Sequence, residues 1–409
     1  MLESLLQNAR DQFDLTEQSA HDHLYQLVNA LLASEITTAR IKQSLGNAPL
    51  EFRLAEKLVD SRRYLQTISQ PLKIAVVFAM WGEQHRLHPR SATNPNGEDS
   101  LRVKLAQLAW ATEGTPVEWT LYAVDDGDPH QSGRIAEQIA ETHPLGKHVK
   151  VLHLDDAVPT SSGPLAGLAS AEASRKGGAI VYGAMSAIAD GADVVIYTDA
   201  DNSVHLGQIG LLLRPYLEDH HRVVLGNRKH PDAVLVKQEG RWGIGIKLLR
   251  HMQRMVGQPI FSLGIRDTQA AFKLYDGQLL SKIIADPTVY DFSFDTDWMM
   301  AAIVNDVPLT TVPFAFIDSA AESASIAQGP MSTWETLLQG LKAAVRKHGL
   351  PHDQEMARVL DEEIKSSADL DLLIDRLPAQ LANTPDSQLG DPQIMSPAEV
   401  QTWIRQCKQ

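Results

Sequence analysis

The chain has 409 residues, 44% of them hydrophobic, a formal net charge of −14 and a single cysteine, Cys407. That length and composition fit an ordinary globular protein with one large domain and appendages, or two to three domains. The acidity excludes nucleic acid or an anionic membrane surface as the main partner, and one cysteine excludes an internal disulfide framework or a Cys-based zinc site. No apolar run approaches the roughly 20 residues that span a bilayer, so no transmembrane segment is expected. The start of the chain shows no basic segment leading into an apolar core, so a cytoplasmic location is the expectation.

Residues 1–70 read as a helical N-terminal extension. Leu24, Leu27, Val28, Leu31, Leu32, Ile36, Ile41 and Leu45 recur mostly at three- and four-residue steps, predicting one amphipathic helix that Gly46-Asn47-Ala48-Pro49 stops. A second helix is expected over Leu50–Ile68. Nothing polar here suggests chemistry, and the segment reads as a packing or homo-oligomer contact.

From Lys73 the rhythm becomes strand and helix in alternation, which predicts an α/β fold with a mainly parallel sheet flanked by helices over residues 71–330. Strands are expected at Ile74–Met80, Val117–Val124, Val149–Leu154, Val194–Tyr197 and Arg222–Leu225. Helices are expected at Ser100–Trp110, up to Ala189, Ile209–Leu217, Ile246–Met255 and Trp298–Asn305. Asp267–Tyr275 returns to extended structure, and Val307–Phe316 is a last strand-like run. Pro159–Gly167 is a loop rich in Gly, Ser and Pro. Residues 331–409 form a second helical extension, opened by a helix at Trp334–His348.

Chemistry is expected where these strands end, because open parallel sheets bind ligands at the carboxyl ends of their strands. Three of them end in polar signatures: Asp125-Asp126-Gly127-Asp128, Asp199-Ala200-Asp201 and Gly226-Asn227-Arg228. On extended backbone Asp199 and Asp201 face the same side, and paired hard oxygen donors suit Mg²⁺ or Mn²⁺ bridging to a diphosphate. An Asp-Asn-Ser turn is the plainer alternative. Asp125 or Asp126 can accept from a base or ribose, or can simply form an Asp-Gly turn. Lys176, just before Gly177-Gly178, can meet phosphate oxygens near a helix N-terminus. Neither a P-loop nor a Gly-x-Gly-x-x-Gly fingerprint after the first strand is present.

Six stretches together resemble the family-2-type glycosyltransferases of the GT-A fold, nearest to the dolichyl-phosphate glucose and mannose synthases and their bacterial homologues. They are Val124-Asp125-Asp126-Gly127, Lys176-Gly177-Gly178-Ala179, Thr198-Asp199-Ala200-Asp201, Gly226-Asn227-Arg228, Asp267-Thr268-Gln269-Ala270-Ala271-Phe272-Lys273 and Phe294-Asp295-Thr296-Asp297. The resemblance covers about 73–320. It implies a GT-A sheet and transfer of a hexose from a UDP- or GDP-sugar to a hydroxyl.

By that resemblance Asp125 or Asp126, and more loosely Glu83, would contact the nucleoside. Asp199 and Asp201 would hold Mn²⁺ or Mg²⁺, with Asp201 as the direct ligand. Arg228, Asp267, Gln269 and Lys273 would line the sugar and phosphate region. Asp295 would take the acceptor's proton, with Asp297 as the alternative and helix capping the non-catalytic explanation of both. The acceptor, whether small molecule, glycan or lipid-linked, stays open, and a soluble one is expected because no membrane helices follow the motifs. A nucleotidyltransferase of related topology and a non-catalytic sugar-nucleotide-binding protein are the alternatives.

Overall fold

The computed structural model describes residues 1–12, 14–237, 243–318 and 330–409. Seven strands form the central sheet: β1 (Leu72–Met80), β2 (Val117–Asp125), β3 (Val149–His153), β4 (Val194–Thr198), β5 (Val223–Asn227), β7 (Phe272–Asp276) and β8 (Leu309–Pro313). Their order is β3-β2-β1-β4-β7-β5-β8, parallel except for β7, which runs antiparallel to both neighbours. β6 (Val234–Val236) and β9 (Ala315–Ile317) pair as a separate two-stranded sheet. The helix-flanked, mainly parallel α/β sheet expected from the sequence is therefore present.

Successive strand residues point to opposite faces, so each strand feeds two cores. Val77, Val195, Tyr197 and Leu225 enter the core on one face, and Val76, Phe78, Ile196 and Val224 that on the other. The Gly177–Ala189 helix closes on the first face because Gly183 has no side chain: a Cβ there would lie 2.4 Å from Val77 Cγ1. The C-terminal extension joins the first of these cores, and the N-terminal helices form a third with the small sheet. Met331, Leu338, Val359, Leu373 and Ile404 belong to the same buried cluster as β1 and β4, while the N-terminal helices bury Leu24, Leu27, Phe52 and Leu58 against Val234, Ala315 and Ile317. Segment 319–329, which precedes the expected boundary with the C-terminal extension, lies outside the described residues.

Several boundaries differ from expectation. The single helix expected through Leu45 is two, Gln18–Leu32 and Thr38–Gln43. Ser34 Oγ donates to the Leu31 carbonyl at 2.7 Å and closes the first, and Thr37 Oγ1 accepts from Arg40 N at 3.3 Å and opens the second. The run Val307–Phe316 divides between β8 and β9. Pro313 has no N–H to extend the ladder, and the Gln208 side chain takes both main-chain groups of Ala315, at 2.7 and 3.0 Å. Residues 267–271 are loop, with the strand beginning only at Phe272. The helix expected from Trp298 begins at Phe294, which puts Asp295 and Asp297 in its first turn.

A buried histidine ties the N-terminal helices to the segment after β4. His205 Nδ1 accepts from Gly207 N at 2.9 Å, so the neutral ring carries its proton on Nε2, 3.2 Å from Tyr25 Oη. Burial, then the neighbouring His21, holds its pKa well below 6.5. Below pH 6.5 the unfolded chain takes up a proton that the folded chain refuses, so this contribution is complete above 6.5 and is lost as pH falls. The stability difference between wild type and His205→Asn should be largest near pH 7.5 and shrink by up to about 2 kcal/mol at pH 5. Thermal melts of both proteins across that range check this; a difference constant with pH contradicts it.

Candidate active site

The chain leaves β1 toward β2 and β3 on one side and returns to β4 on the other. The carboxyl ends of β1 and β4 thus flank a topological switch point, where open α/β sheets leave room for a ligand. There the structure has a cavity of about 690 Å³. It reaches from the loops after β1 and β2, across Asp199, Ala200 and Asp201, to the Ile246–Val256 and Pro330–Lys347 helices.

Asp199 and Asp201 follow β4 directly and both line the cavity. Asp199 Oδ1 pairs with the Lys176 ammonium. Burial works to raise the Asp199 pKa, but Lys176, Arg228 and Lys104 outweigh it and hold the carboxyl below its ordinary range. Asp201 is pushed the other way, to about 6, by burial, by Asp199 and by Glu98. Its Oδ1 accepts from Ser203 N at 3.0 Å, and its main-chain carbonyl accepts from the wholly buried Lys104. Among the described residues no three His, Cys, Asp or Glu side chains form a ready metal cage. Two carboxylates facing an open cavity are the donor set of a Mg²⁺ or Mn²⁺ shared with substrate phosphates, and the acidity pressed on Asp201 is what a cation there would relieve. The residues fit such a metal.

Behind this pair lies a network of which the sequence pointed only to Glu83. Glu98 is 2% exposed; its Oε2 accepts from Asn202 N at 2.8 Å and its carbonyl from Asn202 Nδ2 at 2.9 Å, which pins the loop carrying Asp201. Glu98 Oε1 accepts from Arg86 Nε at 2.9 Å, and Arg86 also pairs with Glu83. Glu83 lines the cavity, and burial raises its carboxyl to about 7 against the pull of Arg86. The visible signal was faint. Arg86 stands at i+3 from Glu83, and Glu98 stands two residues before the Ser100–Thr112 helix.

The two acids after β2 take different parts. Asp125 accepts from Asp128 N at 2.8 Å and Gly133 N at 2.7 Å, which fixes the turn into the Ser132–Thr142 helix and keeps it out of the cavity lining. Asp126 lines the cavity, and its Oδ2 accepts from Lys176 N at 2.7 Å. Burial raises it to about 6. Trp81, 41% exposed, stands beside Glu83, Asp126 and Gly127 in the same wall.

Across the cavity, Arg228 is held by Asp267 through Nε at 2.9 Å, Nη2 at 2.7 Å and its main-chain N at 2.7 Å, and lies over Phe316 at 5.0 Å. Both members of the pair line the cavity, as does Gln269, whose buried Nε2 has no hydrogen-bond partner among the described residues. An unmatched buried donor of this kind is costly unless a ligand accepts from it. Lys273 is not in the lining. It is wholly buried beneath the site, donating to the Thr268 and Ala270 carbonyls at 3.0 and 2.5 Å.

Asp295 and Asp297 share one helical turn and separate in use. Asp295 lines the cavity, with Oδ1 at 3.2 Å from Lys273 Nζ and without a hydrogen bond to that oxygen among the described residues. Burial raises its pKa well above the ordinary value, opposed by Lys176. Asp297 is not in the lining: Oδ1 meets His348 Nε2 at 2.8 Å and Oδ2 accepts from Thr288 N at 3.2 Å, which latches this helix to the C-terminal part. Neither aspartate is the helix cap, which is Ser293.

The far end of the cavity is cationic. Lys229 Nζ donates to the Arg266 carbonyl at 2.6 Å, and the Arg266 guanidinium donates to the Phe261 carbonyl at 2.5 Å. Neither has a carboxylate partner among the described residues. Arg250 reaches Asp386 only at 3.4 Å. Burial, with Arg250 and Arg254 nearby, lowers the Lys229 pKa to about 8. Thr333, Trp334 and Leu337 complete this end, so the C-terminal extension, for which the sequence offered no chemistry, supplies part of the wall.

No family model matches the chain. Among solved structures it is similar to glucosyl-3-phosphoglycerate synthase from Mycobacterium tuberculosis in complex with Mn²⁺, UDP and glucosyl-3-phosphoglycerate, at 13% identity and TM-score 0.45 over 72% of this chain and 85% of that one. It is also similar to mannosyl-3-phosphoglycerate synthase from Rubrobacter xylanophilus, at 14% identity and TM-score 0.46 over 71% of this chain and 78% of that one. Among the described residues no helix is long and apolar enough to cross a membrane.

Proposed function

We propose that the chain is a glycosyltransferase, transferring a hexose from a UDP- or GDP-sugar to a hydroxyl of a small anionic acceptor. The observation that carries this reading is one cavity of about 690 Å³ containing an acidic pair at the switch point, cations beside it, a buried carboxylate with an unbonded oxygen, and a cationic far end. Each part matches one demand of the reaction.

The nucleoside lies toward Trp81, Glu83 and Asp126, where an indole face and carboxylates can stack on a base and accept its N–H or ribose O–H groups. Asp199 and Asp201 would hold Mn²⁺ or Mg²⁺, which when bound would supply Lewis-acid neutralisation of the leaving diphosphate's charge. Arg228, braced by Asp267, adds a fixed positive charge beside Asp199 that costs no reorganisation during the reaction. The anomeric carbon gains a bond to the acceptor oxygen as its bond to the diphosphate oxygen breaks. Asp295 takes the acceptor's proton. Burial raises its pKa, and the ionised form of such a carboxyl is a stronger base than an exposed aspartate. Lys229, Arg250 and Arg266 receive the acceptor's anionic group; among the described residues Lys229 and Arg266 have no carboxylate partner and Arg250 shares Asp386, which leaves cationic charge for a ligand to balance.

Release of nucleoside diphosphate tests the reading. With Mn²⁺, either UDP-glucose or GDP-mannose should release its nucleoside diphosphate, faster with phosphorylated or carboxylated hydroxy compounds than with glycerol. No release from any sugar nucleotide, or pyrophosphate from a nucleoside triphosphate instead, contradicts it.

A further inference from the structure

The cation paired with Asp199 is Lys176, and its backbone is unusual. It stands at φ +83° and ψ −49°, a conformation non-glycine residues rarely adopt. Several bonds impose it. Lys176 N donates to Asp126 Oδ2 at 2.7 Å, and Arg175 N and Gly178 N both donate to the Tyr290 carbonyl, at 3.0 and 3.1 Å. Between them Gly177 passes so close that a Cβ would lie 2.6 Å from the Tyr290 carbonyl carbon. This segment delivers the lysine side chain onto Asp199.

Three cations act on Asp199, and two of them are tied elsewhere. Arg228 is locked to Asp267 by three hydrogen bonds, and Lys104 is wholly buried on the Asp201 carbonyl. Lys176 keeps 23% of its side chain exposed and faces the open cavity. A divalent ion drawn to Asp199 therefore meets the Lys176 ammonium already seated on Oδ1 and competes with it for the carboxylate's charge. Where the ion prevails without a ligand, that ammonium loses its partner, whereas an incoming diphosphate offers phosphate oxygens to receive it.

We infer that Lys176 guards the metal site, holding Asp199 in the nucleotide-free chain and moving to the diphosphate on binding, so that metal and nucleotide enter together. The inference rests on the proposed sugar-nucleotide reading. Linked binding of this kind is reciprocal: the nucleotide strengthens the metal by the factor by which the metal strengthens the nucleotide.

Free Mn²⁺ followed by electron paramagnetic resonance gives a readout independent of activity. Wild type should bind Mn²⁺ weakly alone and about 5–150-fold more tightly with UDP or GDP. Lys176→Met should bind Mn²⁺ alone at least about 10-fold more tightly than wild type and lose most of that dependence. Lys176→Arg, which keeps the charge, should behave as wild type. Lys176→Gln replaces the methionine variant if the latter does not melt like wild type. Equal Mn²⁺ affinity of wild type and Lys176→Met without nucleotide, or no Mn²⁺ bound by either, overturns the inference. If Lys176→Met gains Mn²⁺ affinity but neither UDP nor GDP binds either protein, the guarding contact stands and the glycosyltransferase reading falls.

Discussion

Replacing Asp295 by asparagine is expected to lower kcat by about 10²–10⁴-fold, the range that a positioned general base commands. The shape of the side chain is kept and only the ability to take a proton is lost. Asp295 is 4% exposed and lines the cavity, and its Oδ1 has no hydrogen bond among the described residues. Affinity for the donor should change little, because the carboxylates beside the diphosphate are untouched. Burial raises the Asp295 pKa, so the rate should climb with pH through a limb above the usual carboxylate range, with the acid protonated and idle below it. Asp295→Asn should lack that limb. Asp297→Asn serves as the control, since it loosens the contact with His348 and should lower the melting temperature more than kcat. Initial rates and donor titrations on folded protein check this. A kcat within threefold of wild type would remove Asp295 from the role.

The second large effect belongs to Asp201→Ala, which should abolish the gain in nucleotide affinity that Mn²⁺ confers. A drop of more than about 100-fold in Mn²⁺ affinity is expected, since even an outer-shell partner of a metal ligand is worth about 10–100-fold. Asp201 is the acid with charge to spare: Asp199 already has Lys176, whereas Asp201 is raised to about 6 by burial and its acidic neighbours. Removing it also relieves that repulsion, so the variant should fold at least as well as wild type. Calorimetry of UDP or GDP binding with and without Mn²⁺, alongside thermal melts, separates a lost metal ligand from a damaged fold.

Strand-end acids were legible because a buried strand announces itself by a short β-branched run, as at Val194-Val195-Ile196-Tyr197, and its end is then fixed within a residue. That placed Asp126, Asp199, Asp201 and Arg228 on one sheet edge. Which of two neighbouring acids faces the cavity was legible only in part: the resemblance put Asp295 ahead of Asp297 but left Asp125 and Asp126 level. Asp125 is taken by the local turn through Asp128 and Gly133, and Asp297 by His348, 51 residues away. Lys273 carried a motif yet serves beneath the floor, because its amine finds carbonyl acceptors three and five residues back. The Glu98–Asn202 contact spans 104 residues, and local pattern does not encode such a distance. The same holds for the C-terminal wall. Trp334 and Leu337 sit in an amphipathic helix whose apolar face reads as packing, and only the tertiary fold brings that helix over the cavity.

The most direct measurement is a calorimetric titration of UDP-glucose and GDP-mannose into the purified chain, with Mn²⁺ and with a chelator. One of the two should bind, markedly more tightly with Mn²⁺, and the metal-dependent part should vanish in Asp201→Ala. Binding of neither sugar nucleotide, or binding indifferent to both the metal and Asp201, would contradict the assignment of this cavity to a metal-dependent glycosyl transfer.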